Sequence, residues 1–449
     1  MRLGWLFGWS VLFVCAATSA DAVVIYQGAA LIDTSRGVVQ PDTSIVVDGE
    51  RIKAVVPSRQ LAAADLQGAQ VVNMAGRFVL PGLIDSHQHL ATPPDRKFAE
   101  AMMRRDLYSG ITAVRDMADD LRSVGELARE SLLGEIPGPD IYFAALMAGP
   151  SFFADPRTGA AARGAIAGSV PWMQAITDQT DMRLAVAMAR GTSATGIKIY
   201  ANLPGSLVKK ITAEAHRQGI LVWAHAAVFP ASPKEVIEAG VDSVSHVCYL
   251  TYQVYDKMPA SYQARFDNDD ARFAHGDDPK LASLFAEMRR RGTILDATVS
   301  IHASFERSVS QHPNRRIYLC SSKLALQLAH QAQRAGVEIS TGTDEVSPAS
   351  DRFPQLYAEL AELTSGAGMS TAAVLRSATV VGARAVGHER DMGSIETGKL
   401  ANFMFVEQSP LDDIGNLRTV ILTVKRGIAY PRSDYRPVSP EEMPPEYRQ

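Results

Sequence analysis

Between residues 78 and 344 the chain repeats one texture eight times: a short apolar run ending in polar residues, then a helix-like stretch. The runs are "FVLPGLIDSHQH", "ITAVRDM", "DIYFAAL", "GIKIY", "ILVWAHA", "DSVSHV", "TILDATV" and "VEISTGTD". The stretches include "FAEAMMRRDLYSG", "DMRLAVAMARG", "SLVKKITAEAHRQG", "SPKEVIEAG", "PKLASLFAEMRRRG" and "SKLALQLAHQAQRAG", which close on Gly as helix C-termini commonly do. Strand-then-helix units in this number predict an α/β protein, a (β/α)8 TIM barrel of about 250 residues plus insertions. An open doubly wound sheet would normally carry a Gly-rich phosphate loop after its first strand, and "DSHQHL" is not one.

The flanks read differently. "AVVIYQGAALIDT", "TSIVVDGERIKAVVP" and "AQVVNMAGRFVLPG" are β-branched, with "VDGE" as a hairpin turn, and "GSIETGKLANFMFVEQ" and "LRTVILTVKRGIAY" share that texture. Neither end makes a convincing sheet alone, so together they predict a small β-sandwich domain built from both termini. "MRLGWLFGWSVLFVCAATSADA" has a basic Arg2, a short apolar core and small residues before a cleavage site, the pattern of a secretory signal peptide. The expected division is a leader over 1–22, small-domain parts over 23–80 and 386–435, the barrel over 81–385, and a C-terminal tail over 436–449. The protein is expected to be secreted or periplasmic, with no membrane attachment after leader removal. Cys248 and Cys320 then remain, and their pairing is open at this level.

The net charge of −4 carries no block of like charges, which argues against a nucleic-acid partner and for a small-molecule or dipeptide substrate. Two long insertions, "MAGPSFFADPRTGAAARGAIAGSVPWMQAITDQ" after the third strand and "YLTYQVYDKMPASYQARFDNDDARFAHGDD" after the sixth, lie on the active-site side of such a barrel. Loops of this length are usually functional or disordered, and these read as walls or lids of a pocket.

The polar residues at the strand ends carry the chemistry. In a strand, residues i and i+2 point the same way, so His87 and His89 present two imidazoles side by side, with Asp85 in phase. An HxH pair alone is a weak metal signal. Lys198 sits in the middle of the fourth apolar run, His225 ends the fifth, His246 the sixth and Asp344 the eighth. Each alone has an ordinary structural explanation; together, at the C-terminal ends of barrel strands, they would converge on one axis. Four imidazoles, a carboxylate and a lysine suffice for two divalent ions. A buried ammonium beside cations should lose its proton; the neutral amine can then add carbon dioxide and become an anionic carbamate. The competing reading is an unmodified Lys198 that binds substrate beside one metal.

These motifs resemble the amidohydrolase superfamily over nearly all of the chain beyond the leader. "PGLIDSHQH" is similar to its first-strand signature, "GITAVRDM" to its second strand, and "GSIETGKLANFMFVE" to its C-terminal β segment. "GIKIY" and "SVSHVCYLTY" are closest to the two-metal, carboxylated-lysine branch that resembles Xaa-Pro dipeptidases, N-acyl amino acid hydrolases and imidazolonepropionase. The resemblance implies that His87 and His89 bind the more buried metal, His225 and His246 the more exposed one, and carboxylated Lys198 bridges them. Asp344 would bind the buried metal and act as general base. Tyr249 is the candidate to polarise the substrate carbonyl, or else a pocket-wall aromatic. Ser245 stands where the family often has Glu, which affects the support of His246. Zinc is the default metal for such donors, and family members often assemble into homo-oligomers.

The implied reaction is amide hydrolysis by a metal-activated hydroxide, with Asp344 taking the proton and returning it to the leaving amine. Arg115, Asp116 and His302 are candidate substrate contacts; His302 is placed to meet a carboxylate, or else is an exposed loop residue. Rivals on the same scaffold are ester, lactone or carbamate hydrolysis and deamination. Many deaminases carry a Glu three residues after the fifth-strand His, whereas His225 is followed by "AAV".

Overall fold

The computed structural model describes residues 23–273, 278–311 and 319–445, so the expected leader over 1–22 lies outside the described residues. Eight parallel strands follow one another around a barrel in chain order: β1 (Leu83–Gln88), β2 (Ile111–Asp116), β3 (Asp140–Ala148), β4 (Gly196–Ile199), β5 (Leu221–His225), β6 (Ser243–Ser245), β7 (Ile294–Asp296) and β8 (Ile339–Ser340). Every residue of β1, β2 and β3 is buried, because helices cover one side and the barrel interior the other. That is why these runs read as continuous apolar stretches instead of alternating ones. The barrel closes beyond β8: Ser86 N donates to Thr341 O at 2.7 Å and Asp344 N to His87 O at 2.9 Å. Gly342 permits this approach, since a Cβ there would lie 2.2 Å from Asp296 Oδ1 and 2.7 Å from His87 Cβ.

The helices turn one stripe inward. In Gly205–Arg217 the buried side chains are Leu207, Val208, Ile211, Thr212 and Ala215, a helical spacing. A Ser232–Glu235 capping box starts Pro233–Glu238, and Gly292 in the left-handed conformation ends Pro279–Arg291.

The small domain is an eight-stranded sheet drawn from both ends of the chain. Its junction is the strand Phe403–Val406, which pairs antiparallel with Phe78–Pro81 on one side and with Val420–Lys425 on the other. Tyr26 fills its core against Phe403 and Phe405, with ring centroids 5.4 and 5.3 Å away. Phe78–Pro81 leads almost directly into β1, so this sheet anchors the strand that carries His87 and His89.

The third-strand insertion is tied to the barrel: its strand Met173–Ala175 pairs parallel with the end of β3. The sixth-strand insertion begins with a short helix, Val247–Gln253, packed into the core. Cys248 and Cys320, whose pairing the sequence left open, form a disulfide that joins this insertion to the start of the helix Ser322–Arg334. No helix among the described residues is long and apolar enough to cross a membrane.

Candidate active site

At the C-terminal mouth of the barrel His87 Nε2 and His89 Nε2 both face Asp344 Oδ1, at 3.6 and 3.4 Å. His246 Nδ1 lies 3.8 Å from Asp344 Oδ2, and the His246 ring lies 4.9 Å from that of His87 and 4.9 Å from that of His225. The Lys198 side chain and all four of these imidazoles line the same chamber as Asp344. His246 and Asp344 are held at φ of 71° and 51°, and Thr298 beside them at 48°. Left-handed backbone at non-glycine residues is tolerated where the surroundings enforce it, and it concentrates at functional sites.

The outer nitrogens of the first-strand pair are taken. His87 Nδ1 bonds Asp296 Oδ2 at 2.7 Å, and His89 Nδ1 bonds Asp119 Oδ1 at 2.7 Å. A carboxylate on Nδ1 fixes the tautomer and leaves Nε2 as a lone-pair donor, the usual arrangement behind a metal-binding histidine. His225 Nδ1 is buried and has no hydrogen-bond partner among the described residues. A buried imidazole nitrogen without a partner is costly unless something else meets it. Lys198 is 1% exposed, and its amine is 3.4 Å from Ser245 Oγ. Burial first, then the guanidinium of Arg115, lowers that amine to about 7 against the pull of Asp296. Burial opposes ionisation of Asp344, but His87, His246 and His89 prevail and hold its carboxyl well below the usual range. Burial keeps His87, His225 and His246 below the ordinary imidazole range, whereas at His89 burial is outweighed by Asp119 and Asp344, which raise it. Four imidazoles, an ionised carboxylate and an easily deprotonated amine are a donor set that fits divalent ions.

Asp296 organises the layer beneath. Its Oδ2 accepts from Arg115 Nη2 at 3.1 Å and from Ser245 Oγ at 2.9 Å, besides meeting His87. Ser245 thus links Lys198 to Asp296, while His246 is supported by Thr298 Oγ1 at 3.0 Å. Neither Asp296 nor Asp119 stood out in the sequence, although "TILDATV" ends the seventh run in a buried acid, which is the signal that could have found the first.

Four sequence expectations meet a different placement. Arg115 is fully buried below the chamber, bonded to Ser86 O, Ser243 Oγ and Asp296, with its guanidinium 4.8 Å from the Trp223 ring centre. It supports the site and does not line the chamber, because β2 turns it into the barrel axis. Asp116 is also fully buried and accepts from Leu90 N at 3.0 Å, which holds the loop after β1. His302 lies on the helix Ser300–Gln311 but turns inward, with Nε2 3.3 Å from Cys248 Sγ and 2% exposure. Ile301, Ser304 and Phe305 of that helix face the chamber in its place. Tyr249 is 3% exposed and stacks on His225 at 5.2 Å, 17° from parallel. The short helix after His246 carries its ring behind the imidazole, so it backs His225 instead of lining the chamber.

The tyrosine that lines the chamber is Tyr200, whose ring lies 4.1 Å from that of His225. Arg157, from the third-strand insertion, donates to Tyr200 Oη at 3.1 Å and to Tyr262 Oη at 3.3 Å. The same guanidinium pairs with Asp155 at 3.0 and 2.8 Å, so an arginine–aspartate pair stands at the chamber wall beside the imidazoles. The sequence named the insertion but not Arg157.

The role of the buried acids is testable. Asp119→Asn keeps the shape at His89 but loses the anionic acceptor, and is expected to weaken metal affinity about 10–100-fold. Competition with a chromophoric chelator measures it; unchanged affinity in a folded variant would remove Asp119 from this role.

The Amidohydro_1 model, the amidohydrolase family, matches residues 78–429. An imidazolonepropionase of Paenarthrobacter aurescens is 35% identical over 112 residues, which is 23% of this chain and 26% of that protein. The chain therefore aligns with about a quarter of that relative's length. A 5-methylthioadenosine/S-adenosylhomocysteine deaminase of Teredinibacter turnerae is 24% identical over 83% of this chain and 80% of its own. Among solved structures, a Xaa-Pro dipeptidase with bound methionine superposes with a TM-score of 0.71 at 23% identity, covering 91% of this chain and all of that one (100%). The ochratoxinase of A. niger superposes with a TM-score of 0.70 at 21% identity, over 91% and 96% of the two chains. At these identities the two structures are likenesses of fold.

Proposed function

The chain belongs to the amidohydrolase family, and on that premise we propose that it is a metal-dependent hydrolase of carbon–nitrogen bonds acting on an N-acyl amino acid or dipeptide. The observation that carries this is the pair His87 and His89. Both aim Nε2 at Asp344 while buried carboxylates hold their Nδ1 atoms. His225, His246 and Lys198 complete the donor set, and the amine of Lys198 is suited to carboxylation by its burial and lowered pKa.

Divalent ions held there would supply Lewis acidity, polarising the scissile carbonyl and making water acidic enough to attack near neutral pH. Asp344 accepts the proton of the attacking water and passes it to the amine nitrogen. That step matters most for an amide, whose leaving group departs poorly without it. Arg157, paired with Asp155 through Nε and Nη2 and held by Tyr200 and Tyr262, keeps Nη1 toward the chamber side as a charge-assisted contact for a substrate carboxylate. The apolar part of the chamber excludes water from the reacting centre. "AAV" after His225 supports hydrolysis over deamination. The Cys248–Cys320 disulfide supports an exported enzyme, since such bonds persist in oxidising compartments.

The test is a panel of N-acyl amino acids and dipeptides, Xaa-Pro included, against metal-replete protein. Cleavage lost on chelation and restored by added metal is expected. Arg157→Ala should raise KM about tenfold for substrates bearing the carboxylate. Pure protein that binds no divalent metal, or that cleaves no amide while releasing ammonia from an aminopurine nucleoside, would overturn the reading.

A further inference from the structure

We propose that residues 436–445, the segment beyond the small β domain, form a wall of the acyl subsite, and that this wall selects substrates with a bulky apolar acyl group. The proposal rests on the amide-hydrolase reading above.

Glu441 to Pro445 line the same chamber as the imidazoles and Lys198. The segment is held in place by buried charge pairing. Arg104 donates to Glu442 Oε2 at 2.9 Å and to Arg436 O at 3.0 Å, and Arg436 donates to Glu442 Oε1 at 2.7 Å. Ser439 and Glu442 form a capping box, and Tyr435 packs on Tyr108 with ring centroids 5.8 Å apart. Arg104 and Tyr108 belong to the helix Arg96–Tyr108 after β1, and the same helix gives Phe98 and Met102 to the chamber. Removing one partner of a buried ion pair is strongly destabilising, so this segment is a built part of the site. Met443 is 2% exposed and shares the chamber lining with Leu90, Phe98, Met102, Met117 and Phe305.

The chamber encloses about 850 Å³. Sites that hold drug-sized ligands run from about 300 to 1,000 Å³. A dipeptide would leave much of this space to water against methionine and phenylalanine side chains. An N-acyl amino acid with a long or aromatic acyl group fills the space instead. Thioether side chains suit this task, because they adapt to groups of different shape.

The experiment uses the metal-replete full chain and a series of N-acetyl, N-butanoyl, N-hexanoyl, N-octanoyl and N-phenylacetyl derivatives of one amino acid. kcat/KM is expected to rise about fourfold per added methylene over the first members. Met443→Ala should lower the octanoyl-to-acetyl ratio about tenfold, and Met443→Trp should move the optimum to shorter chains. Calorimetric binding of straight-chain carboxylic acids, acetate to octanoate, gives a second readout that needs no turnover and should show the same trend. If acetyl and octanoyl substrates are cleaved equally well, or if both Met443 variants keep the wild-type ratio, the wall claim is wrong while the hydrolase reading stands. If no amide in the series is cleaved, the hydrolase reading fails, and the carboxylate series decides the wall: affinity that does not rise with chain length overturns it.

Discussion

Lys198→Ala is expected to lose bound metal and about 10³-fold or more in turnover, with partial return of both on addition of short carboxylic acids. The physical case rests on what surrounds the amine. Lys198 lies in β4 with 1% exposure, and its amine makes a long hydrogen bond, 3.4 Å, to Ser245 Oγ. A permanently charged ammonium there would sit among four imidazoles that must stay neutral to donate lone pairs. Burial and Arg115 already bring the amine to about 7. The proposed carbamate would turn this liability into two oxygens that share one negative charge. Alanine would remove them and leave a space that acetate or propionate can enter with a carboxylate of its own. Lys198→Met serves as the control for folding, since it keeps most of the volume and no amine. Metal content by elemental analysis, read beside activity, decides the matter: a folded variant with full metal and wild-type turnover would end the carbamate assignment.

Asp344→Asn is expected to cut turnover by about 10²–10⁴-fold with the fold intact. Asparagine is the mildest change available at this position. It has nearly the same volume, and it is among the few residues that accept a φ of 51°. What it lacks is the ability to take a proton from water and hand it to the leaving amine. In the native site the imidazoles of His87, His246 and His89 hold Asp344 ionised against the cost of burial. The loss should therefore be in kcat, and it should be larger for an alkyl amide than for an ester of the same acid, whose leaving group needs less protonation. Equal losses for ester and amide would mean that Asp344 only holds metal; near-native rates on both would remove it from the chemistry.

How far the sequence reached varies from residue to residue. The eight strands were legible because a barrel strand is buried on both sides, and short apolar runs between amphipathic helices leave little choice of architecture. His87, His89, His225, His246 and Asp344 were legible because each is a polar residue where such a run meets the active-site end, and Lys198 because it is a cation inside an apolar run. Their gathering in one chamber follows from topology alone. Asp119 was obscured by its neighbour Asp120, which does the ordinary work of capping the helix Leu121–Leu132. Arg157 was obscured because its position depends on how the third-strand insertion folds back, and loop composition does not encode that path.

Arg115, His302 and Tyr249 show the limit most clearly. All three are polar or aromatic residues at strand ends or just beyond, and sequence position alone makes each a plausible substrate contact. The fold turns Arg115 under the site onto Asp296, His302 onto the disulfide, and Tyr249 behind His225. The tail was likewise a remainder in the sequence, yet Arg104 and Glu442, 338 positions apart, draw it to the chamber.

By itself, then, the sequence determined the barrel, the small domain made from both ends, and the set of histidine, lysine and aspartate residues that meet in one chamber. Periodicity and strand-end position are local, and a closed parallel barrel converts them directly into a shared axis. Only the tertiary structure decided which side chains touch the chamber, which carboxylates stand behind the histidines, and what closes the far wall. Those outcomes depend on the direction each side chain takes after the chain bends, and on pairings between residues hundreds of positions apart, such as His87 with Asp296. No local pattern carries that information, because the partner is chosen by space and not by sequence.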